Sequence, residues 1–173
     1  MVELKIQNFS ENKKAYLEIE EKLKNLLSNA PINHVGSTAI PEMCGKNIID
    51  VLVGAKNETE FSEFKSKIKS LGFFDSQNSK SEIYQFFASK QGETGDGDTH
   101  IHLCITNTER YDEFLILRDY FLSNPLEATA YSNHKKELIS KGITDRKLYR
   151  ATKSEYVSML IERAKNYFKY KRG

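Results

Sequence analysis

The chain has 173 residues, of which 39% are hydrophobic and 29% are charged. This balance is typical of a globular protein and excludes the charged, apolar-poor composition of a disordered chain. Lysine and arginine number 26 against 24 aspartates and glutamates, and the net charge of +2 excludes the broad basic field that drives unspecific nucleic-acid binding. An anionic partner must therefore be held by a local site.

The length of the chain and its cysteine content limit the number of domains and disulfides that it can form. It has the size of one ordinary domain and no internal repeat or composition shift, so we expect a single domain over residues 1–173. Cys44 and Cys104 are too few for a disulfide framework and are expected to be reduced thiols. No apolar run could span a bilayer and no signal-peptide core follows Met1, so the sequence predicts a cytoplasmic protein without a membrane partner.

Helical and extended patterns alternate in the first half of the chain. A helix is predicted from a cap at Ser10 to a stop before Pro31, because its apolar residues recur at helical spacing. Residues 32–35 form a short extended pattern, and the apolar, β-branched run 47–53 predicts a central strand. A second helix is predicted over 57–72, from an asparagine cap to a glycine stop.

Two strand patterns and a helical tail make up the second half. Strands are predicted over 83–88 and 99–106, and the glycine- and aspartate-rich segment 91–98 between them predicts a flexible hairpin loop. The rest is helical in three pieces, with breaks at 124–125 and 142–144. This order predicts an α+β or α/β fold, in which helices flank a mixed β-sheet and the C-terminal region is helical.

Strict alternation along residues 99–105 places two histidines on one face of a strand. Ile101 and Leu103 point to one side, while His100 and His102 point to the other, about 6.6 Å apart along the strand. Imidazoles at this spacing can converge on one metal ion or one anionic group. The alternative is a pair of surface or internally satisfied histidines.

Asp50 lies inside an apolar strand, where it shares a face with Ile48 and Leu52. A carboxylate on a central strand is costly unless a partner, hydrogen bonds or a metal compensate it. We interpret Asp50 as a functional residue and metal ligand. The alternative is a partnered aspartate that holds a loop near Gly36.

The tripeptide Gly36-Ser37-Thr38 is a candidate phosphate-binding turn. Glycine permits a close approach of the backbone, and hydroxyl and N–H groups can hold a phosphate. By itself the tripeptide is weak evidence, and without other functional residues nearby it indicates an ordinary turn.

Combined, these elements resemble the nucleotidyltransferase superfamily, in which a Gly-Ser turn grips a triphosphate and a strand aspartate binds the metal. Here twelve residues separate Gly36-Ser37 from Asp50. The chain resembles more specifically the GrpB family, which has a nucleotidyltransferase-like fold. The resemblance implies a nucleotide or other small phosphate ligand held with a divalent metal. The segments that carry it are 33–41, 46–50, 100–103 and 117–122.

The sequence departs from the pattern of an active transferase, which has two carboxylates one residue apart on its first catalytic strand and a third on a later strand. Leu52 occupies the second position, and the histidine strand takes the place of the third. We therefore expect Asp50, His100 and His102 to act as the catalytic residues and as ligands of a single metal. Imidazole favours Zn or Mn, whereas Mg could bind Asp50 together with substrate phosphates, so the metal stays open.

Three cations are expected to complete the phosphate site. Lys46 lies just before the Asp50 strand, and the family resemblance places Arg118 and Lys153 in matching segments of the helical half. Arginine in particular suits bidentate recognition of phosphate. The alternative for Arg118 and Lys153 is the solvated face of an amphipathic helix.

Two functions from different classes follow. The first is a metal-dependent transferase of nucleotidyl or phosphoryl groups, with His100 or His102 as ligand or as a general base that titrates near neutral pH. The second is a binding module that senses a nucleotide or related metabolite without turnover, which the missing second carboxylate favours. A nucleic-acid partner is not expected, because no dense basic helix is present.

Overall fold

The structure is a computed structural model that describes residues 1–91 and 96–171. The helices are α1 (Phe9–Leu26), α2 (Glu58–Ser70), α3 (Glu109–Ser123), α4 (Pro125–Ser140) and α5 (Arg146–Lys171), with a short 3-10 turn at Ser37–Ala39. The strands are β1 (Lys5–Ile6), β2 (Ile32–Val35), β3 (Cys44–Gly45), β4 (Ile49–Ala55), β5 (Phe74–Lys80), β6 (Tyr84–Lys90) and β7 (Asp96–Ile105).

Five strands form a mixed sheet in the order β2-β4-β7-β6-β5. The central strands β4 and β7 are parallel, and the other neighbours are antiparallel. In the central pair Asp50 lies opposite His100, and Leu52 lies opposite His102. The mixed sheet, its flanking helices and the helical C-terminal region confirm the predicted fold class.

One face of the sheet is closed by α1 and α2. Leu23 of α1 packs there against Val51 of β4 and Ile101 of β7, and all three are fully buried. Because side chains alternate along a strand, Asp50, His100 and His102 must point to the opposite face. The main apolar core thus fixes the direction in which the polar residues point.

The opposite face of the sheet meets the C-terminal helices. Leu52 and Cys104 pack against Tyr111 of α3, while a separate apolar cluster joins α3, α4 and α5 around Leu160. Asn124 separates α3 from α4, which begins at Pro125, and the chain thus breaks where the sequence predicts. Among the described residues no helix combines the length and apolar character needed to cross a bilayer.

Several boundaries differ from the sequence predictions. Helix α1 is capped by Asn8, whose side chain accepts a hydrogen bond from the N–H of Glu11, rather than by Ser10. The sequence does not predict strand β5, because its residues are polar and lack alternation. This strand pairs with β6 at the edge of the sheet. The short pair β1 and β3 was also missed.

The predicted loop over 91–98 is shorter than expected at its C-terminal end. Strand β7 begins at Asp96, which pairs with Lys90 of β6 beyond an irregularity in the register. At this irregularity Ser89 Oγ accepts hydrogen bonds from the N–H groups of Asp98 and Thr99. The middle of the predicted loop, residues 92–95, lies outside the described residues.

Candidate functional site

A cleft of about 960 Å³ separates the polar face of the sheet from the C-terminal helices. The turn after β2 and the strands β4 and β7 form one wall, and α3, α4 and α5 form the other. The residues predicted from the sequence that line it are Gly36, Ser37, Lys46, Asp50, His100, His102, Arg118 and Lys153. Segments distant in sequence are therefore brought together at one cavity.

Asp50 is the centre of a hydrogen-bonded group with the two histidines. Its Oδ1 lies 3.2 Å from Nδ1 of His100 and 3.4 Å from Nε2 of His102. The parallel register of β4 and β7 creates this arrangement, because it sets Asp50 directly beside His100 and two residue pairs away from His102, on the same face of the sheet. The carboxylate thus has two imidazole partners.

The histidines decide the charge of Asp50. Burial alone would raise the pKa of this carboxyl, but hydrogen bonds and attraction from His100 and His102 outweigh burial and hold the pKa well below its usual range. Asp50 is therefore ionised in the folded protein.

Both ring nitrogens of His102 are engaged, since its Nδ1 lies 3.0 Å from the hydroxyl of Tyr84. Burial lowers the pKa of His102 more strongly than Asp50 raises it, so the ring is neutral near pH 7. Burial also raises the pKa of Tyr84 to about 12, so the phenol keeps its proton. Both contacts are satisfied when Nε2–H donates to Asp50 and Nδ1 accepts from Tyr84.

Gly36 is packed directly onto the Asp50 carboxylate. A Cβ built on Gly36 would lie 2.2 Å from Oδ2 of Asp50, and the backbone there has φ 74° and ψ −170°, a region that is essentially restricted to glycine. The sequence predicted that this glycine allows a close backbone approach to phosphate. In the structure the group that approaches it is the aspartate.

The two hydroxyl residues of the turn have different surroundings. Ser37 is half-buried and lines the cleft, with its Oγ above Gly45. Thr38 is fully buried, and its hydroxyl donates to the carbonyl of Ile48 and lies 3.0 Å from Nε2 of His34. The Thr38 side chain therefore supports the turn from inside the fold and does not line the cleft.

The three predicted cations line the cleft in different ways. Lys46 is exposed, yet loss of solvation against the cleft walls and repulsion by Lys153 lower its pKa to about 8. Lys153 is half-buried, and burial is the main cause that lowers its pKa. The Arg118 guanidinium bonds to Asp119, to Oδ1 of Asn33 and to the His34 carbonyl, so it also ties α3 to β2.

Sequence reasoning missed two other contributors to the cleft. Lys135 of α4 is buried and reaches the cavity, although the pair Lys135-Lys136 in the sequence looks like an ordinary solvated helix face. The Arg110 guanidinium lies 4.9 Å from the ring centres of both Tyr84 and Phe114. No local signal identifies either residue, because their burial depends on how the helices pack on the sheet.

The donor set of Asp50, His100 and His102 has the chemistry of a site for a divalent transition metal. In the structure these side chains hydrogen-bond to one another. Over residues 1–91 and 96–171, no three His, Cys, Asp or Glu side chains are arranged to hold a metal ion. A metal bound through Nε2 of His102 would have to replace the contact of that nitrogen with Asp50.

The fold is nucleotidyltransferase-like, as its similarity to solved structures shows. It superposes on Cid1, a protein with RNA terminal uridylyl transferase activity, with a TM-score of 0.55 and 17% identity over 82% of this chain and 43% of Cid1. The crystal structure of the conserved protein GrpB from Enterococcus faecalis is more similar. Its TM-score is 0.80, with 23% identity over 96% of this chain and 99% of that protein.

The model of the family described as GrpB protein matches residues 4–163, and the chain belongs to this family. A UPF0157 protein of Pseudomonas aeruginosa is 30% identical over 77% of this chain. The matched part spans 54% of that relative, about half its length. Family membership and the nucleotidyltransferase-like fold agree with the resemblance found in the sequence.

Proposed function

We propose that the protein binds a nucleotide or another small phosphate compound, together with a divalent metal, in the cleft between the sheet and the C-terminal helices. One observation carries the proposal. The ionised Asp50 with its two histidines and a set of lysine and arginine side chains line the same cavity of about 960 Å³. Small-molecule sites commonly measure about 300–1,000 Å³.

The charge of the cleft supports an anionic ligand. Among the described residues that line it, six are lysine or arginine and three are aspartate or glutamate. The basic side chains are Lys46, Arg110, Arg118, Lys135, Arg150 and Lys153, and the acidic ones are Asp50, Glu113 and Glu162. Because the cleft is partly shielded from water, this excess of cations attracts phosphate more strongly than a flat surface would.

A metal would be held by Asp50 with His100 and His102, and substrate phosphates would supply further ligands. When bound, Mg, Mn or Zn would neutralise phosphate charge and polarise a phosphoryl oxygen. Asp50 orients the His100 ring through Nδ1, as the acid of a catalytic triad orients its histidine. In a transferase whose metal is held without His100, this imidazole is the candidate general base.

The second candidate function is binding without turnover, and the environment of Leu52 favours it. The position of the expected second carboxylate is 0% exposed and packs against Val35, Cys104 and Tyr111. A two-metal mechanism needs carboxylates that bridge its ions, and this position is part of the apolar core. A sensor needs only the cleft and its charges.

An experiment with nucleoside triphosphates separates the two functions. The protein is incubated with each triphosphate and Mn, Mg or Zn, and pyrophosphate release and the melting temperature are both measured. Metal-dependent release that Asp50→Ala abolishes supports the transferase. A rise in melting temperature without product supports the sensor, because a ligand that binds only the folded state stabilises it. If no triphosphate and metal gives either effect, both functions are wrong.

The variant Asp50→Asn is expected to lower the affinity for a manganese–nucleotide complex by about a hundredfold, since a charge-assisted contact is worth up to about 3 kcal/mol. The amide keeps the shape of the side chain and removes its charge. Asp98→Asn is the matched control, because Asp98 is exposed, bonds to Ser89 and lies outside the cleft. Calorimetric titration measures both variants, and equal affinities would contradict the role of Asp50.

A further inference from the structure

Lys135 is a buried amine at the inner wall of the cleft. The residue is 3% exposed, and its Nζ donates a hydrogen bond to the carbonyl of Cys44 in β3. The same nitrogen lies 4.5 Å from the centre of the Tyr131 ring. The Lys135 side chain thus extends from α4 to β3 and reaches the cavity.

No carboxylate among the described residues forms an ion pair with Lys135. The charges that face it are Lys153 from α5, Asp50 from β4 and Lys136 on its own helix, and Cys44 approaches from β3. A buried ammonium with one neutral acceptor is costly, because one carbonyl and an aromatic face replace only part of its hydration. The cavity beside it provides room for an anion that would supply the missing charge.

We propose that Lys135 is the inner anion contact of the cleft, and that it takes up a proton when a multiply charged phosphate group, such as a pyrophosphate moiety, binds there. Lys153 lies nearby on α5 and adds a second cation to this contact. The proposal deepens the proposed function and rests on it for the natural ligand. It concerns the cationic wall and does not depend on a metal at Asp50.

The charge state of the amine agrees with this geometry. Burial lowers the pKa of Lys135 to about 7, with a smaller contribution from Lys153 in the same direction, while Cys44 and Asp50 oppose it. Burial raises the pKa of the neighbouring Tyr131, and raises that of Tyr149 to about 12, so neither phenol competes for the charge. At pH 8 the amine is therefore largely neutral, and an anion that favours its ammonium form raises its pKa.

Proton uptake sets the direction of the pH dependence. Because the complex holds one proton more than the free protein, affinity for the anion falls as pH rises above 7. At pH 8, one unit above the pKa of the free amine, complete protonation in the complex would take up about 0.9 proton. A permanently charged guanidinium at this position would bind the anion without that uptake.

The test is calorimetric titration of metal-free inorganic pyrophosphate at pH 8 in two buffers that differ in ionisation enthalpy. We expect the wild type to take up nearly one proton more than Lys135→Met and to bind about tenfold or more tightly. Lys135→Arg is expected to retain the affinity within a few fold and lose the extra proton. The matched control is Lys136→Met, which changes an exposed lysine outside the cleft and should behave as the wild type.

Two results would overturn the role of Lys135: no binding of pyrophosphate by the wild type, or equal affinity and equal proton uptake in wild type and Lys135→Met. Melting curves of each variant establish that it is folded. The pyrophosphate titration contains no metal and so does not require Asp50 to act as a metal ligand. If the protein binds pyrophosphate with proton uptake but binds no metal–nucleotide complex, the role of Lys135 is supported and the proposed function is wrong.

Discussion

Gly36→Ala is expected to lower the free energy of unfolding by about 3 kcal/mol or more and to abolish ligand binding in the cleft. The methyl group would lie 2.2 Å from Oδ2 of Asp50, and the backbone would remain in a region that costs a non-glycine residue about 1–3 kcal/mol. Relief of the clash must move Asp50 away from His100 and His102. Urea denaturation measures the stability, and a thermal shift with manganese and nucleotide measures the binding.

Gly72→Ala is the matched control for this change. Gly72 also has a positive φ, 88°, but nothing lies within 4 Å of its added Cβ. The Gly72→Ala variant should lose only about 1–2 kcal/mol of stability, because alanine is strained in a left-handed backbone, and it should retain binding. Equal losses in the two variants would contradict the close packing of Gly36 on Asp50.

Leu52→Asp, which restores the second carboxylate of an active transferase, is expected to destabilise the protein by about 5 kcal/mol or more. The substitution removes a fully buried leucine and places an ionisable group among Val35, Cys104 and Tyr111. This loss is comparable to the whole stability of many domains. Chemical denaturation and the yield of folded protein measure the effect.

The pH dependence and a conservative control separate charge burial from loss of volume at Leu52. A buried aspartate has a raised pKa in the folded state, so the folded protein binds more protons and the variant loses stability as pH rises above the unfolded value near 4. Leu52→Met should cost less than about 1.5 kcal/mol. A stable Leu52→Asp protein at neutral pH would show that the position tolerates a carboxylate, and would remove the argument for a sensor.

The sequence predicted most of the sheet wall of the cleft. Alternation along β7 determines that His100 and His102 share a face, and the apolar run around Asp50 determines that it lies on a central strand. The adjacency of β4 and β7 was implied only by the family resemblance, since strand order has no local signature. To predict that the three side chains converge on one cavity, both the alternation along the strands and the family resemblance were needed.

The helical wall could not be predicted to the same extent. The burial of Lys135 depends on the packing of α4 between β3 and α5, and its sequence neighbourhood is that of a solvated helix. Thr38 belongs to a candidate phosphate-binding tripeptide, but its side chain is directed under the turn. Strand β5 was missed because an edge strand with polar residues has no alternating apolar pattern.

A crystal soaked with manganese and a nucleoside triphosphate tests most directly whether the cleft is a metal–phosphate site. We predict anomalous density for manganese at Asp50 with at least one of His100 and His102, and phosphate density directed towards Lys46 and Lys153. Manganese and triphosphate bound at another surface, or a cleft that holds neither at saturating concentration, would contradict the proposed function.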